Sequence, residues 1–234
     1  MIAEDKGKNP MNTFTDSVFE YYKVVQIDPH GRLRSWEYCY QAFCSARGRT
    51  DADIDYLSLQ LAFYLASWGM YRGSSFLLQK DYKIHIPVVT ELLKTEYDPL
   101  EGIECRNMRM EENQRLLLSL NQFLQEYYDR IRREVKSDDL KNKLSDTLTT
   151  KILMGTLSCV PAYDRFFVDG VKRMKVSTGT YNVKSLLGLV DFYEQNNQDL
   201  EEIRQEMKVG NSIYPQFKLL DMGFWQIGYG ASTE

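Results

Sequence analysis

The chain has 234 residues, a net charge of −4, 43% apolar and 26% charged residues, enough for one full hydrophobic core. That acidic balance argues against binding nucleic acid through a broad positive surface, although "RNMRM", "RIRR" and "VKRMK" are local basic patches set between acidic runs such as "DLEEIRQE". Four scattered cysteines without a C-x-x-C and only two histidines, His30 and His85, argue against a zinc site, an iron–sulfur cluster or a disulfide framework, and no cofactor or metal is expected.

No stretch reaches the roughly 18 apolar residues of a membrane span, and "MIAEDKGKNPMNTF" lacks the apolar core of a signal peptide. No membrane partner and a cytoplasmic location are expected. Nucleotide-binding loops, the G-x-S-x-G elbow and H-E-x-x-H are missing from the sequence, so catalysis by this chain would rest on carboxylates.

Helical periodicity dominates. Helices are predicted at 14–26 and 34–46, then in "DIDYLSLQLAFYLASW", where Ile54, Leu57, Leu61, Leu65 and Trp68 recur at helical spacing, Thr50 or Asp51 serves as N-cap and Gly69 stops the helix. The next stretch, "ASWGMYRGSSFLLQKDYK", turns sharply. Ser74 or Ser75 can cap a new helix there, with Arg72 beside its amides and Trp68 and Tyr71 close by, types that grip phosphates and stack on bases. The alternative is a plain corner with Arg72 bound to carbonyls. "KIHIPVV" reads as an extended connection leading into a helix that starts at Pro87.

Residues 98–111 form an irregular joint, and "EENQRLLLSLNQFLQEYYDRIRREV" is the longest helix, acidic at its start and basic at its end. A polar loop at 136–145 follows, then helices at 146–158, 164–174, from Asn182 as cap, at 199–208, and from Pro215. The last of these, "YPQFKLLDMGFWQIGYG", is read as core packing against the helix at 54–68, with Asp221 or Gln226 on a pocket as the lesser reading. The whole chain, 1–234, is taken as one all-α unit of two helical lobes around a cleft, with the lobe joint near 98–111.

"CVPAYDRFF" at 159–167 holds the most distinctive carboxylate. Pro161 disfavours helix at the residue before it, and Asp164 is a good N-cap for "RFFVDGVKRM". A cap explains the residue fully; desolvation by Tyr163 and the phenylalanines would instead raise its pKa and suit it to catalysis.

The order of apolar helix, proline-bearing turn, aspartate and aromatic or basic helix in "TKILMGTLSCVPAYDRFF" resembles the helix-hairpin-helix DNA glycosylases, and is similar to glycosylase-like proteins of bacterial anti-phage defence that act on modified cytosines. The resemblance covers about thirty residues of the 234. It implies two helical lobes around a DNA cleft and cleavage of the N-glycosidic bond of a modified base, such as a modified cytosine of phage DNA, with Asp164 as the catalytic aspartate. The family's glycine-rich hairpin is absent, Gly155 alone standing in "MGTLSCVP". No counterpart of the lysine of bifunctional members is evident between hairpin and aspartate, which implies water as the attacking group.

On this reading the partner is a modified DNA duplex. Trp68, Tyr71, Tyr163 and Trp225 are candidates for the base pocket, and Arg72, Ser74, Ser75, Lys151, Arg165, Lys172 and Arg173 for the DNA backbone. The rival is a non-enzymatic helical module that binds a protein partner through exposed aromatics. A metal-dependent nuclease built on Asp51, Asp53 and Asp55 is weaker, since that run suits a helix N-terminus.

Overall fold

The computed structural model describes residues 10–136 and 144–232. Among the described residues there are ten α-helices: α1 (Pro10–Ile27), α2 (Ser35–Ala46), α3 (Ile54–Ser67), α4 (Ile86–Leu92), α5 (Glu111–Lys136), α6 (Asp146–Thr156), α7 (Arg165–Arg173), α8 (Val183–Gln195), α9 (Asn197–Gln205) and α10 (Gln216–Gly230). The fold is therefore all-α. Short 3₁₀ turns join several of them, and one small antiparallel hairpin, β1 (Lys208–Val209) with β2 (Ser212–Ile213), precedes α10. No described helix is long and apolar enough to cross a membrane.

Helices α3, α6, α7 and α8 start where short polar side chains satisfy their first amides. Asn182 and Asp164 cap α8 and α7 as the sequence predicts, accepting from Ser185 N and Phe167 N. The cap of α3 is Asp53, which accepts from Tyr56 N at 2.9 Å, rather than Thr50 or Asp51. Two further expectations are corrected. "KIHIPVV" is a 3₁₀ turn (Tyr82–His85) running into α4, and the run after Ser75 is a four-residue 3₁₀ turn, Phe76–Gln79, not an α-helix. The expected loop at 136–145 lies largely outside the described residues.

Buried apolar side chains from all ten helices belong to one continuous cluster. The irregular segment near 98–111 is tied into it on two sides: Gly102 N donates to Leu157 O at 2.7 Å, and Cys105 N donates to Gln216 Oε1 at 2.6 Å. That segment thus links the end of α6 to the start of α10.

α10 packs mainly on α7 and α1, not on α3 as the sequence suggested; α3 meets it through Trp68 and Trp225, whose rings lie 5.9 Å apart. Glycine allows this approach. A Cβ on Gly170 of α7 would lie 1.9 Å from Phe224 O, and one on Gly228 of α10 would lie 1.9 Å from Phe166 O. The obstructing atoms are backbone, so neither helix can yield locally. Gly228→Ala and Gly170→Ala are expected to destabilise the protein by at least about 1–3 kcal/mol in denaturant titrations, whereas Gly230→Ala, whose Cβ would meet nothing within 4 Å, should carry no such penalty.

Candidate functional site

The segment from Ser158 to Asp164 runs through the interior between α6 and α7, with its backbone groups bound. Ser158, at φ 52°, turns the chain out of α6. Ala162 N donates to Asp221 Oδ1 at 2.9 Å, Tyr163 N to Thr150 Oγ1 at 2.9 Å, and Thr147 Oγ1 to Tyr163 O at 3.0 Å. These bonds fix where α7 begins, and hence where Asp164 stands.

The two carboxylate oxygens of Asp164 do different things. Oδ1 accepts from Phe167 N at 3.1 Å as the helix cap, while Oδ2 accepts from Lys151 Nζ at 2.8 Å. Lys151 sits in the middle of α6, a helix buried along its length from Leu148 to Thr156, and its side chain is 2% exposed against 16% for Asp164. Assigned to the DNA backbone from sequence, Lys151 instead faces inward onto the aspartate.

A second buried pair lies alongside. Lys218 Nζ donates to Asp221 Oδ2 at 2.9 Å, and its exposure, like that of Lys151, is 2%. Both amines lie over the Trp68 ring, Lys151 at 4.8 Å and Lys218 at 5.9 Å from its centroid, and Lys218 also lies over Trp36 and Tyr21. A buried ammonium gains here both from its carboxylate and from the negative faces of the rings. Burial, then the charges of Asp221 and Asp164, hold the Tyr21 phenol well above its ordinary value, so it remains a neutral wall of the site.

Trp68 closes this centre. It follows α3, and Gly69, at φ 75°, turns the chain away behind it. Its indole Nε1 is buried and has no hydrogen-bond partner among the described residues. From Trp68 the rings continue without a gap: Trp225 at 5.9 Å, then Phe166 a further 5.5 Å on, with Tyr229 stacked on Trp225 at 4.8 Å.

The other predicted residues do not all converge here. Trp68 and Trp225 do. Tyr163 points the other way, its hydroxyl on Ser185 and its ring against Tyr181 and Phe167. Tyr71 bonds His85 Nε2 at 2.7 Å instead of facing the site. The Arg72 side chain folds back against Gly69, and Ser75 Oγ accepts from Leu77 N. Ser74 and Ser75 line a separate groove with Ser145 and Thr147. Arg165 lies over Phe166, while Lys172 and Arg173 are exposed in the last turn of α7.

Burial pushes the Cys44 and Cys159 thiols up to about 12, far from a nucleophilic thiolate at neutral pH. Asp51 pairs with Arg49, Asp53 caps α3 and Asp55 accepts from Tyr82, so these three acids serve the local structure. Among the described residues no group of three His, Cys, Asp or Glu side chains gathers as a metal site. Comparison with protein-family models, curated proteins and solved structures finds no match.

His85, between Tyr71 and Tyr128, is held neutral by burial down to about pH 3. In the unfolded chain it takes up its proton near pH 6.5, so the unfolded state binds more protons between these values. Its contribution is full above about pH 6.5 and is lost on acidification at up to about 1.4 kcal/mol per pH unit. Urea titrations at pH 7 and pH 4.5 should show this loss, and His85→Gln should reduce the difference; an unchanged pH dependence in the variant would contradict the assignment.

Proposed function

We propose that this protein is a DNA glycosylase that excises a modified base from a nucleotide turned out of the duplex, and that Lys151 and Asp164 are its catalytic pair. The buried Lys151–Asp164 contact carries the reading. An amine and a carboxylate, 2.8 Å apart beneath an aromatic lid, are the groups needed to break an N-glycosidic bond through an oxocarbenium-like sugar. The resemblance in "TKILMGTLSCVPAYDRFF" points to the same aspartate, and the two-lobed cleft of that family belongs to this proposal.

Proton transfer from Lys151 to Asp164 leaves a neutral amine beside a neutral acid. The amine attacks C1′ as the bond to the base breaks. The base leaves with the bonding electrons and takes the proton from Asp164, whose restored carboxylate lies next to the positive charge on the newly bonded nitrogen. The ammonium adduct then passes one proton to the Asp164 carboxylate, and the C1′–O4′ bond breaks as the remaining N–H proton moves to O4′, leaving an imine and a free 4′-hydroxyl, the route to strand scission. Water as the sole attacking group, expected from sequence, gives way in this proposal to Lys151 because that amine is now accounted for. Trp68 turns to admit the base, its buried indole N–H finds an acceptor there, and Trp225 supplies a second ring.

A modified cytosine of phage DNA is the first substrate to try. Incubation with phage DNAs carrying different cytosine modifications should release free base and leave abasic sites, and borohydride should trap a protein–DNA adduct. Asp164→Asn and Lys151→Gln should each lower base release by at least about 100-fold, Lys151→Gln also abolishing the adduct, while circular dichroism shows the helices retained. Base release without a trappable adduct would restore water as the attacking group; no release from any modified DNA would refute the reading.

The rival module has one observation in its favour, an exposed apolar face on α2 and α3. Tyr38, Tyr56, Leu59 and Phe63 are 49%, 50%, 49% and 62% exposed along a groove of about 850 Å³. Tight binding of a protein partner there, beside failure of the DNA experiments, would favour it.

A further inference from the structure

The arginines of this protein are mostly neutralised: Arg34, Arg47, Arg49 and Arg204 each contact a carboxylate. Arg32, Arg72, Arg130, Arg165 and Arg173 have no acidic partner among the described residues; Arg130 lies over Tyr127, away from the site, whereas Arg32 and Arg165, both exposed, lie over rings that meet Trp225. Their positions are related. The Arg32 guanidinium lies over Trp68 at 5.6 Å, and that of Arg165 over Phe166 at 4.6 Å. Trp225 connects the two rings. The ridge Trp68–Trp225–Phe166 thus ends in an unpaired cation on each side, and Asp164 is next to Arg165 in sequence and reaches Lys151 beneath Trp68.

We infer that Arg32 and Arg165 are a two-ended clamp for the phosphodiesters on either side of the nucleotide bound at Asp164. This rests on the glycosylase reading for the identity of that nucleotide. The chemistry favours an extended polyanion with flat, apolar units between its charges. Guanidinium groups take phosphate oxygens in pairs, and the partly exposed Trp68 and Phe166 rings beside them, joined through the buried Trp225, offer stacking surfaces to bases. Stacking on a ring holds each guanidinium plane without consuming its N–H donors, which remain free for the phosphate. An acidic protein gains DNA affinity in this way from two local charges rather than from a broad positive surface. Arg32, in the 3₁₀ turn (Arg32–Arg34) between α1 and α2, has no motif around it, and only the fold brings it to Trp68.

The test measures binding of duplexes containing a stable abasic-site analogue, or none, across a range of salt concentrations. Wild-type protein should bind the abasic duplex more tightly, with affinity falling steeply with salt. Arg32→Ala and Arg165→Ala should each make the slope of log K against log salt shallower by about 0.9, and the double variant by about 1.8. The preference for the abasic duplex should shrink in each. Arg115→Ala, which breaks an exposed pair with Glu111, should change neither quantity, and thermal melts confirm that each variant is folded.

If either arginine variant keeps the wild-type slope and preference, or if the wild-type protein binds neither duplex, the clamp is overturned. Base release is scored separately. Salt-dependent binding lost in both variants, with no base released from any substrate, would retain the clamp and refute the glycosylase. Base release with unaltered slopes would do the reverse.

Discussion

Two lysine ammonium groups buried to 2% exposure within reach of one indole ring are the constraint around which this molecule is arranged. Each would cost several kcal/mol if left unpaired in the interior. The carboxylates that neutralise them come from elsewhere in the fold or from the next turn: Asp164 at the mouth of α7 for Lys151, and Asp221 on α10 for Lys218. Asp221 then uses its other oxygen on Ala162 N, two residues before Asp164. The two pairs are therefore coupled through a short stretch of backbone, and movement of one carboxylate strains the other pair.

That coupling requires α7 and α10 to stay in close register. Gly170 and Gly228 put the helices in backbone contact at the crossing, and Gly223 admits the Phe14 ring of α1 on the other face of α10, where a Cβ would lie 2.4 Å from it. Small residues at these points do for position what the ion pairs do for charge. The aromatic ridge then lies over the crossing as a consequence, since Phe166 comes from the first turn of α7 and Trp225 from α10 between two of its glycines.

Much of the fold was legible in the sequence because its helices are amphipathic or bounded by strong caps. Asn182, Asp164 and Gly69 act as their residue types suggest. The expectation failed where short elements were involved. A four-residue 3₁₀ turn after Ser75 and the hairpin at 208–213 leave no periodic trace to read. Asp164 and the indoles Trp68 and Trp225 were also legible as a candidate site, but the association of Lys151 with Asp164 was not. A lysine thirteen residues away, on a helix buried on all sides, departs from the rule that lysines face water, and that departure was the available signal. Lys218, within the apolar run "FKLLDMGFW", carries the same signal. Tyr71 misled because aromatic character near a turn does not reveal direction; its hydroxyl is committed to His85.

Capping and ion pairing by Asp164 are compatible once its oxygens are considered separately. Oδ1 binds the Phe167 amide and fixes the plane of the carboxylate against α7; Oδ2 is thereby directed at the Lys151 amine. A free carboxylate would rotate and meet Lys151 in several geometries, whereas a capping one presents a single oxygen in a single direction. The cap is thus what orients the carboxylate toward the amine. Because the hydrogen bond from Phe167 N asks only for an oxygen acceptor and the ion pair asks for a charge, the structural and the chemical demands on this one side chain fall on different atoms, and neither has to be compromised for the other.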